Sequence, residues 1–363
     1  MRRPVVDQDQ LADRERALSG LRRLEIELTQ ICNLQCDYCF VTRNLQQPTT
    51  RPMAEELLEA IAATVSTLSS PEGVEVVLTG GEPLSCWPSV VRAVEIFAGA
   101  LGPRLVGASV LTNGTLLRPD RAAWLAENRV RVTVGLDGTQ EVHDAHRRNS
   151  VGIGSWRRAF RGASSLVDEG IVPDVSMVVA DGDCASLSQG IEWVCDVLGP
   201  GTLSVVPAAP PTLGGSVPRP GPEEWAELIV ALHDRARTTG TRVAPVADVV
   251  DAMTDGVPML HSDDGAWGGS MAVDVHGNAG PSLELLSAGV GAVALGSLDL
   301  ASGPFQRWRD RSPARNAECR ECSALGLCGN ASMYASTAAG GSPAARDPWH
   351  CRMQRHLVNA LEG

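Results

Sequence analysis

Apolar residues in this chain fall into short runs separated by longer amphipathic stretches. Strand-like runs recur at residues 24–28, 74–78, 105–111, 130–136, 174–179 and 202–206. Between them, apolar positions repeat at helical spacing over residues 53–68, 89–101, 121–128, 156–169 and 187–198. A strict strand–helix alternation predicts a parallel sheet with right-handed crossovers, an α/β fold. A Pro- and Gly-rich stretch at 206–222 then reads as a long loop or linker, followed by a helix over 223–237.

The richest chemistry lies just after the first run. In the stretch LTQICNLQCDYCF, Cys32, Cys36 and Cys39 stand in a Cys-x3-Cys-x2-Cys spacing. Three thiolates hold a four-iron cluster and leave one iron open to a small molecule, whereas a structural centre takes a fourth protein ligand. Spacing alone also admits a zinc site or three unrelated buried thiols. After the second run, the chain reads Gly80-Gly81-Glu82-Pro83. Two glycines there permit a ligand to approach the backbone closely, and Glu82 at the strand's carboxyl end is placed to accept from an ammonium group.

Together the cysteine triplet and the Gly-Gly-Glu turn resemble the radical S-adenosylmethionine superfamily. That resemblance implies a partial (β/α)6 barrel and a [4Fe-4S] cluster on Cys32, Cys36 and Cys39. It also implies S-adenosylmethionine on the open iron, cleaved after reduction to a 5'-deoxyadenosyl radical that abstracts hydrogen from a substrate. By the same resemblance Gly80, Gly81 and Glu82 bind the methionine amino group, and Tyr38 lies beside the adenine. The stretches VLTNGTLL and VTVGLDGTQEVHDAHR are similar to the subgroup with a C-terminal SPASM domain. They imply cofactor contacts for Thr112, Asn113, Asp137 and Arg147, with Arg147 placed to clamp the methionine carboxylate. Gly135 departs from this pattern, standing where a serine usually touches the cofactor.

Near the other end, Cys319, Cys322, Cys328 and Cys351 form a second set. Four thiolates close a cluster completely, and zinc accepts the same four. The SPASM resemblance implies one auxiliary [4Fe-4S] cluster here. Ser270, Ser282 and Ser332 replace cysteines of a further cluster, so the domain reads as degenerate. Leu283 stands where sulfatase-maturing relatives carry a catalytic aspartate, which argues against formylglycine formation. Asp274, His276 and Asp299 read as turn or surface groups, and Cys86, Cys184 and Cys195 as small buried hydrophobes.

Composition narrows the partners. The 31 basic residues are all arginine, which excludes Schiff-base chemistry on lysine, and 43 acidic residues bring the net charge to -12. Such a balance argues against nucleic-acid binding. No secretory signal and no membrane-spanning apolar run is read, so a cytoplasmic location is expected. The expected organisation is an N-terminal extension at 1–20, the barrel at 21–240, a helical bridge at 241–265 and the SPASM-like domain at 266–363. The expected substrate is a ribosomally made precursor peptide, with a secondary-metabolite small molecule as the alternative and a non-catalytic, metal-stabilised peptide-binding module as a third reading. A flavodoxin- or ferredoxin-type electron donor is implied, and recognition of any leader segment would need another site or a separate leader-recognition protein.

Overall fold

The computed structural model describes residues 20–39, 49–208, 217–259, 269–299, 317–329, 333–342 and 345–362, together with Pro4 and Val6. Six strands, β1 (Arg23–Thr29), β2 (Val74–Gly80), β3 (Leu105–Thr112), β4 (Val130–Gly135), β5 (Asp174–Val179) and β6 (Thr202–Pro207), lie parallel and in chain order. They coincide with the six apolar runs. The crossovers are helices α1 (Glu55–Leu68), α2 (Trp87–Leu101), α3 (Pro119–Glu127), α4 (Gln140–His146) and α5 (Trp156–Asp168) in tandem, and α6 (Cys184–Leu198).

Alternation along each strand separates two faces. Leu24, Ile26, Leu28, Val76, Leu78, Val110, Val132, Val134, Val175, Met177 and Leu203 are fully or almost fully buried in one apolar core with the helices. Each such aliphatic side chain stabilises the fold by about 1.5–3 kcal/mol. The opposite face is polar: Glu75 on β2 pairs with Arg23 on β1 and with Arg131 on β4, and Ser109 lies between them on β3. A parallel sheet with one apolar and one polar face is the wall of an open barrel, and the strand ends are its rim.

The sheet does not stop at six strands. Arg242–Ala244 adds a parallel seventh, β7, inside the stretch expected as a bridge, and α7 (Pro222–Ala236) and α8 (Val246–Asp255) flank it. On the other edge, β8 (Ser270–Val273) pairs parallel with β1, in register from Arg23↔Ser270 to Ile26↔Val273. β9 (Asn278–Gly280) and β10 (Val293–Ala294) extend that edge antiparallel. Glu27 ties this edge to the barrel by accepting from Val275 N (3.1 Å) and Gln30 Nε2 (3.1 Å). Asp274 is a turn former, as expected, accepting from the backbone of His276 and Asn278.

The last described segments are α9 (Leu283–Ser287), α10 (Ala317–Arg320), α11 (Met333–Gly340) and α12 (Pro348–Glu362). α12 packs on α7 through Trp349 and Trp225, and Arg219 joins Asp347 while stacking 4.5 Å over Trp349. The span Pro83–Arg104 is long and apolar enough to cross a membrane by length and composition. In the fold it is the crossover from β2 to β3, with Val90, Ala93, Phe97 and Leu101 buried against the sheet. Phe40, Ser332, most of the 1–20 stretch and residues 209–216 of the 206–222 stretch lie outside the described residues.

Candidate functional site

At the rim, β1 runs into the loop that carries Cys32, Cys36 and Cys39, all free thiols and partly buried. Its backbone is anchored on two sides. Gly81 N donates to Thr29 O (2.7 Å) and Glu82 N to Ile31 O (2.8 Å), while Gln35 N donates to Arg148 O (2.6 Å) and Asp37 N to His146 O (3.2 Å). The glycine pair owes its composition to this anchoring. Gly80 has φ +138, and a Cβ on Gly80 or Gly81 would run into Thr29 O or Ile31 O. The chain's own backbone at Thr29 and Ile31 makes this close approach.

Glu82 is wholly buried at the end of β2. Its Oε1 accepts from Leu84 N (2.9 Å) and Thr112 Oγ1 (2.7 Å), and its Oε2 from Asn113 N (2.7 Å). Burial pushes its pKa up, and those three hydrogen bonds pull against the rise. Asn113 reaches back to the cysteine loop, donating to Asn33 Oδ1 (2.9 Å) and toward Cys32 Sγ (3.9 Å). Glu82, Thr112 and Asn113 therefore staple the ends of β2 and β3 beneath the cysteines. Arg121, which the sequence did not single out, locks the same corner by donating to Leu84 O and Leu116 O, both at 2.9 Å.

On the far side of the rim, Asp137 and Arg147 form a buried bidentate pair, Nε to Oδ2 at 2.8 Å and Nη2 to Oδ1 at 2.9 Å. Tyr38 OH donates to the same carboxylate, and the guanidinium lies 5.4 Å over the Tyr38 ring. Burial raises the Asp137 pKa, but the Arg147 charge outweighs it and holds the carboxyl below its ordinary range. Asp137 and Arg147 thus meet each other, a partnership that separate cofactor roles did not suggest. Gly135 makes the space: a Cβ there would lie 2.7 Å from Arg147 Nη1.

Behind this pair His143 accepts from Asp137 N (3.2 Å) and meets Ser155 Oγ (2.9 Å), whose hydroxyl donates to Arg147 O (2.8 Å). Those partners fix the imidazole with its proton on Nε2, and burial pushes its pKa down to about 4. A second histidine escaped sequence reasoning. His146 sets Nδ1 3.0 Å from Asp37 Oδ2 and Nε2 3.1 Å from Asp183 Oδ2, joining the cysteine loop to the start of α6. The one available signal was Asp37 itself, lying between two of the cysteines.

Three of the distal cysteines lie near one another. Cys319, on α10, is close enough to Cys322 and Cys351 for their charges to raise its pKa further, after burial, and Cys328 Sγ lies 3.6 Å from His350 Nε2. Burial likewise pushes Cys32 up to about 11 and Cys36 up to about 12. Thiols so placed stay protonated at neutral pH unless a metal centre draws the protons off, and such thiolates suit a soft metal. Among the described residues no three His, Cys, Asp or Glu side chains converge as they would on a single ion. Three free thiols on one loop and four in the distal set are donors of the kind that hold iron–sulfur clusters.

The profile of the radical SAM superfamily matches residues 26–181. That span holds all three proximal cysteines, Glu82, Asn113, Asp137 and Arg147. Residues 26–181 are a radical SAM domain. The chain is 31% identical over 159 residues to a serine-type anaerobic sulfatase-maturating enzyme of Bacteroides thetaiotaomicron, and 30% identical over 132 residues to a cysteine-type one of Clostridium novyi. Those alignments cover 42% and 35% of this chain and only 37% and 35% of the relatives. An uncharacterized protein of Archaeoglobus fulgidus is 25% identical over 93% of this chain and 80% of its own length. The fold matches native anSMEcpe with bound AdoMet and Cp18Cys peptide at a TM-score of 0.77, with 16% identity over 94% of this chain and 96% of that one. It also matches Streptococcus suis SuiB bound to precursor peptide SuiA, at 0.69 with 14% identity over 94% and 78%. The expected partial barrel is the fold found.

Proposed function

We propose that this chain is a radical S-adenosylmethionine oxidoreductase that matures a ribosomally made peptide, abstracting hydrogen from a side chain or α carbon to leave a crosslink, ring or epimer. The observation that carries this reading is the cysteine loop anchored over buried Glu82 inside a radical SAM domain. A [4Fe-4S] cluster with S-adenosylmethionine on its open iron supplies, once reduced, the 5'-deoxyadenosyl radical.

The chain's own residues divide the remaining work. Cys32, Cys36 and Cys39 hold the cluster, and the Asn113 amide points a donor toward Cys32 Sγ. Glu82 Oε2, with one hydrogen bond from Asn113 N, keeps a lone pair for the methionine ammonium, whose charge would hold the carboxylate ionised. Asp137 occupies Nε and Nη2 of Arg147, leaving Nη1 for the methionine carboxylate beside Gly135. Tyr38, fixed by Asp137 and Arg147, offers its ring to the adenine. Cys319, Cys322, Cys328 and Cys351 hold one auxiliary cluster, an electron acceptor suited to crosslinking. A flavodoxin- or ferredoxin-type carrier supplies the reducing electron.

A peptide substrate is favoured because SuiB and anSMEcpe, which share the fold, are both seen with peptides. Sulfatase maturation is not favoured, since Leu283 is buried against Ala272 and Leu286 and puts no carboxylate there. Anaerobic reconstitution with iron and sulfide, then reduction with S-adenosylmethionine, tests the reading. Release of 5'-deoxyadenosine with about eight irons per chain is the expected result. Bound zinc without deoxyadenosine would leave only a metal-stabilised binding module.

A further inference from the structure

The chain carries a net charge of -12, yet one exposed face next to the cysteine loop is basic. Arg157, Arg158 and Arg161 project from the first two turns of α5 and form no ion pair among the described residues, whereas Arg92, Arg118 and Arg352 are each paired. Their placement costs helix stability. Arg157 and Arg161 repel at i,i+4 spacing, and Arg157 and Arg158, in the first turn, oppose the positive end of the helix dipole. A local cost without a local partner points to a partner outside the chain.

Immediately before α5, a tight hairpin closes through the Arg148–Gly154 bridge. Asn149 Oδ1 accepts from Val151 N (3.1 Å) and Ile153 N (2.9 Å), which holds the tip rigid. That tip presents two apolar side chains to solvent, Val151 at 74% and Ile153 at 62% exposure. The base of the hairpin touches the cysteine loop directly, because Arg148 O accepts from Gln35 N at 2.6 Å. A protein seated on the hairpin is therefore one layer of backbone away from the loop that carries Cys36.

We propose that Arg148, Val151, Ile153, Arg157, Arg158 and Arg161 form the docking surface for an acidic one-electron carrier protein that reduces the proximal cluster. This rests on the function proposed above. The carrier's prosthetic group loses one electron and the oxidised cluster gains it, with no atom transferred. The arginines supply steering toward an acidic partner, while the remainder of the -12 surface repels it. The two apolar side chains supply the dry contact. A peptide substrate is a weaker occupant, because the arginines project to solvent from a crossover helix of the outer layer.

The test uses the reconstituted full-length holoenzyme and measures 5'-deoxyadenosine formation driven either by reduced flavodoxin or by dithionite. In the triple variant Arg157→Glu/Arg158→Glu/Arg161→Glu, the flavodoxin-driven rate at low salt should fall about tenfold or more and lose its salt dependence. The dithionite-driven rate should stay at the wild-type value. Ile153→Asp, tested separately, should lower only the flavodoxin-driven rate. Unchanged flavodoxin rates in both variants, or equal falls with both reductants, overturn the docking surface and leave the radical SAM function standing. Loss of binding to an acidic peptide with flavodoxin rates intact also overturns it. No deoxyadenosine from wild type with dithionite removes the functional reading and this surface with it.

Discussion

Gly135 exists for Arg147: a single added Cβ would stand 2.7 Å from Nη1 and 3.1 Å from Cζ of a guanidinium that Asp137 holds from the other side. Because the guanidinium is gripped in two places, it cannot swing clear cheaply. Gly135→Ser should destabilise the fold by about 1–3 kcal/mol and weaken S-adenosylmethionine binding. Denaturant unfolding and equilibrium binding check both. In an Arg147→Met background the same substitution should cost far less, since the obstructing nitrogen is gone.

Asp137→Asn leaves the Arg147 cation buried without its counter-ion. Removing one partner of such a pair costs about 3–5 kcal/mol. Urea unfolding of the apo protein should record that loss, and an apo protein as stable as wild type would refute the buried pairing.

Glu82→Gln preserves shape but removes the charge that the methionine ammonium would meet, and turns one acceptor into a donor facing Thr112 Oγ1 or Asn113 N. S-adenosylmethionine affinity should fall by about tenfold or more, the scale of one charge-assisted hydrogen bond. Iron content should be retained, because the cysteines are untouched. Isothermal titration alongside iron counting separates the two.

His143 is fully buried, and burial lowers its pKa from 6.5 to about 4. Between those values the unfolded chain takes up a proton that the folded chain refuses, so stability falls as pH drops through that window. The loss approaches about 3 kcal/mol. His143→Asn, whose carbonyl accepts as Nδ1 does, should flatten the dependence by one proton; unfolding midpoints from pH 7 down to about pH 4.5 provide the comparison.

Cys328→Ser should reduce iron in the reconstituted protein from about eight to about four per chain. Cys32→Ser should remove the same amount while also abolishing deoxyadenosine formation.

Much of the architecture was legible because burial imposes a simple pattern. Leu24, Ile26 and Leu28 fall in a short apolar run, so a strand could be read there at once. β7 and β9 could not, since three residues carry no period and Asn278-Ala279-Gly280 has no strand-forming side chain. At the site, the cysteine spacing and Glu82 were readable as chemistry. The pairing of Asp137 with Arg147 was not, because each looked complete as a ligand contact and only the fold shows them facing one another. His146 stayed hidden for a related reason: its partners Asp37 and Asp183 are distant in sequence and lie in two different loops.

The parallel pairing of β1 with β8 sets the order in which the centre can be completed. β1, the strand that delivers Cys32, is made first, but one of its edges finds its partner only when residues 270–273 have been synthesised. Through some 240 intervening residues of translation that edge offers open amide and carbonyl groups, a template for mispairing. A nascent chain of this kind benefits from receiving its iron late, after β8 has sealed the first strand, and its yield in a cell will follow how well chaperones shield that edge until then.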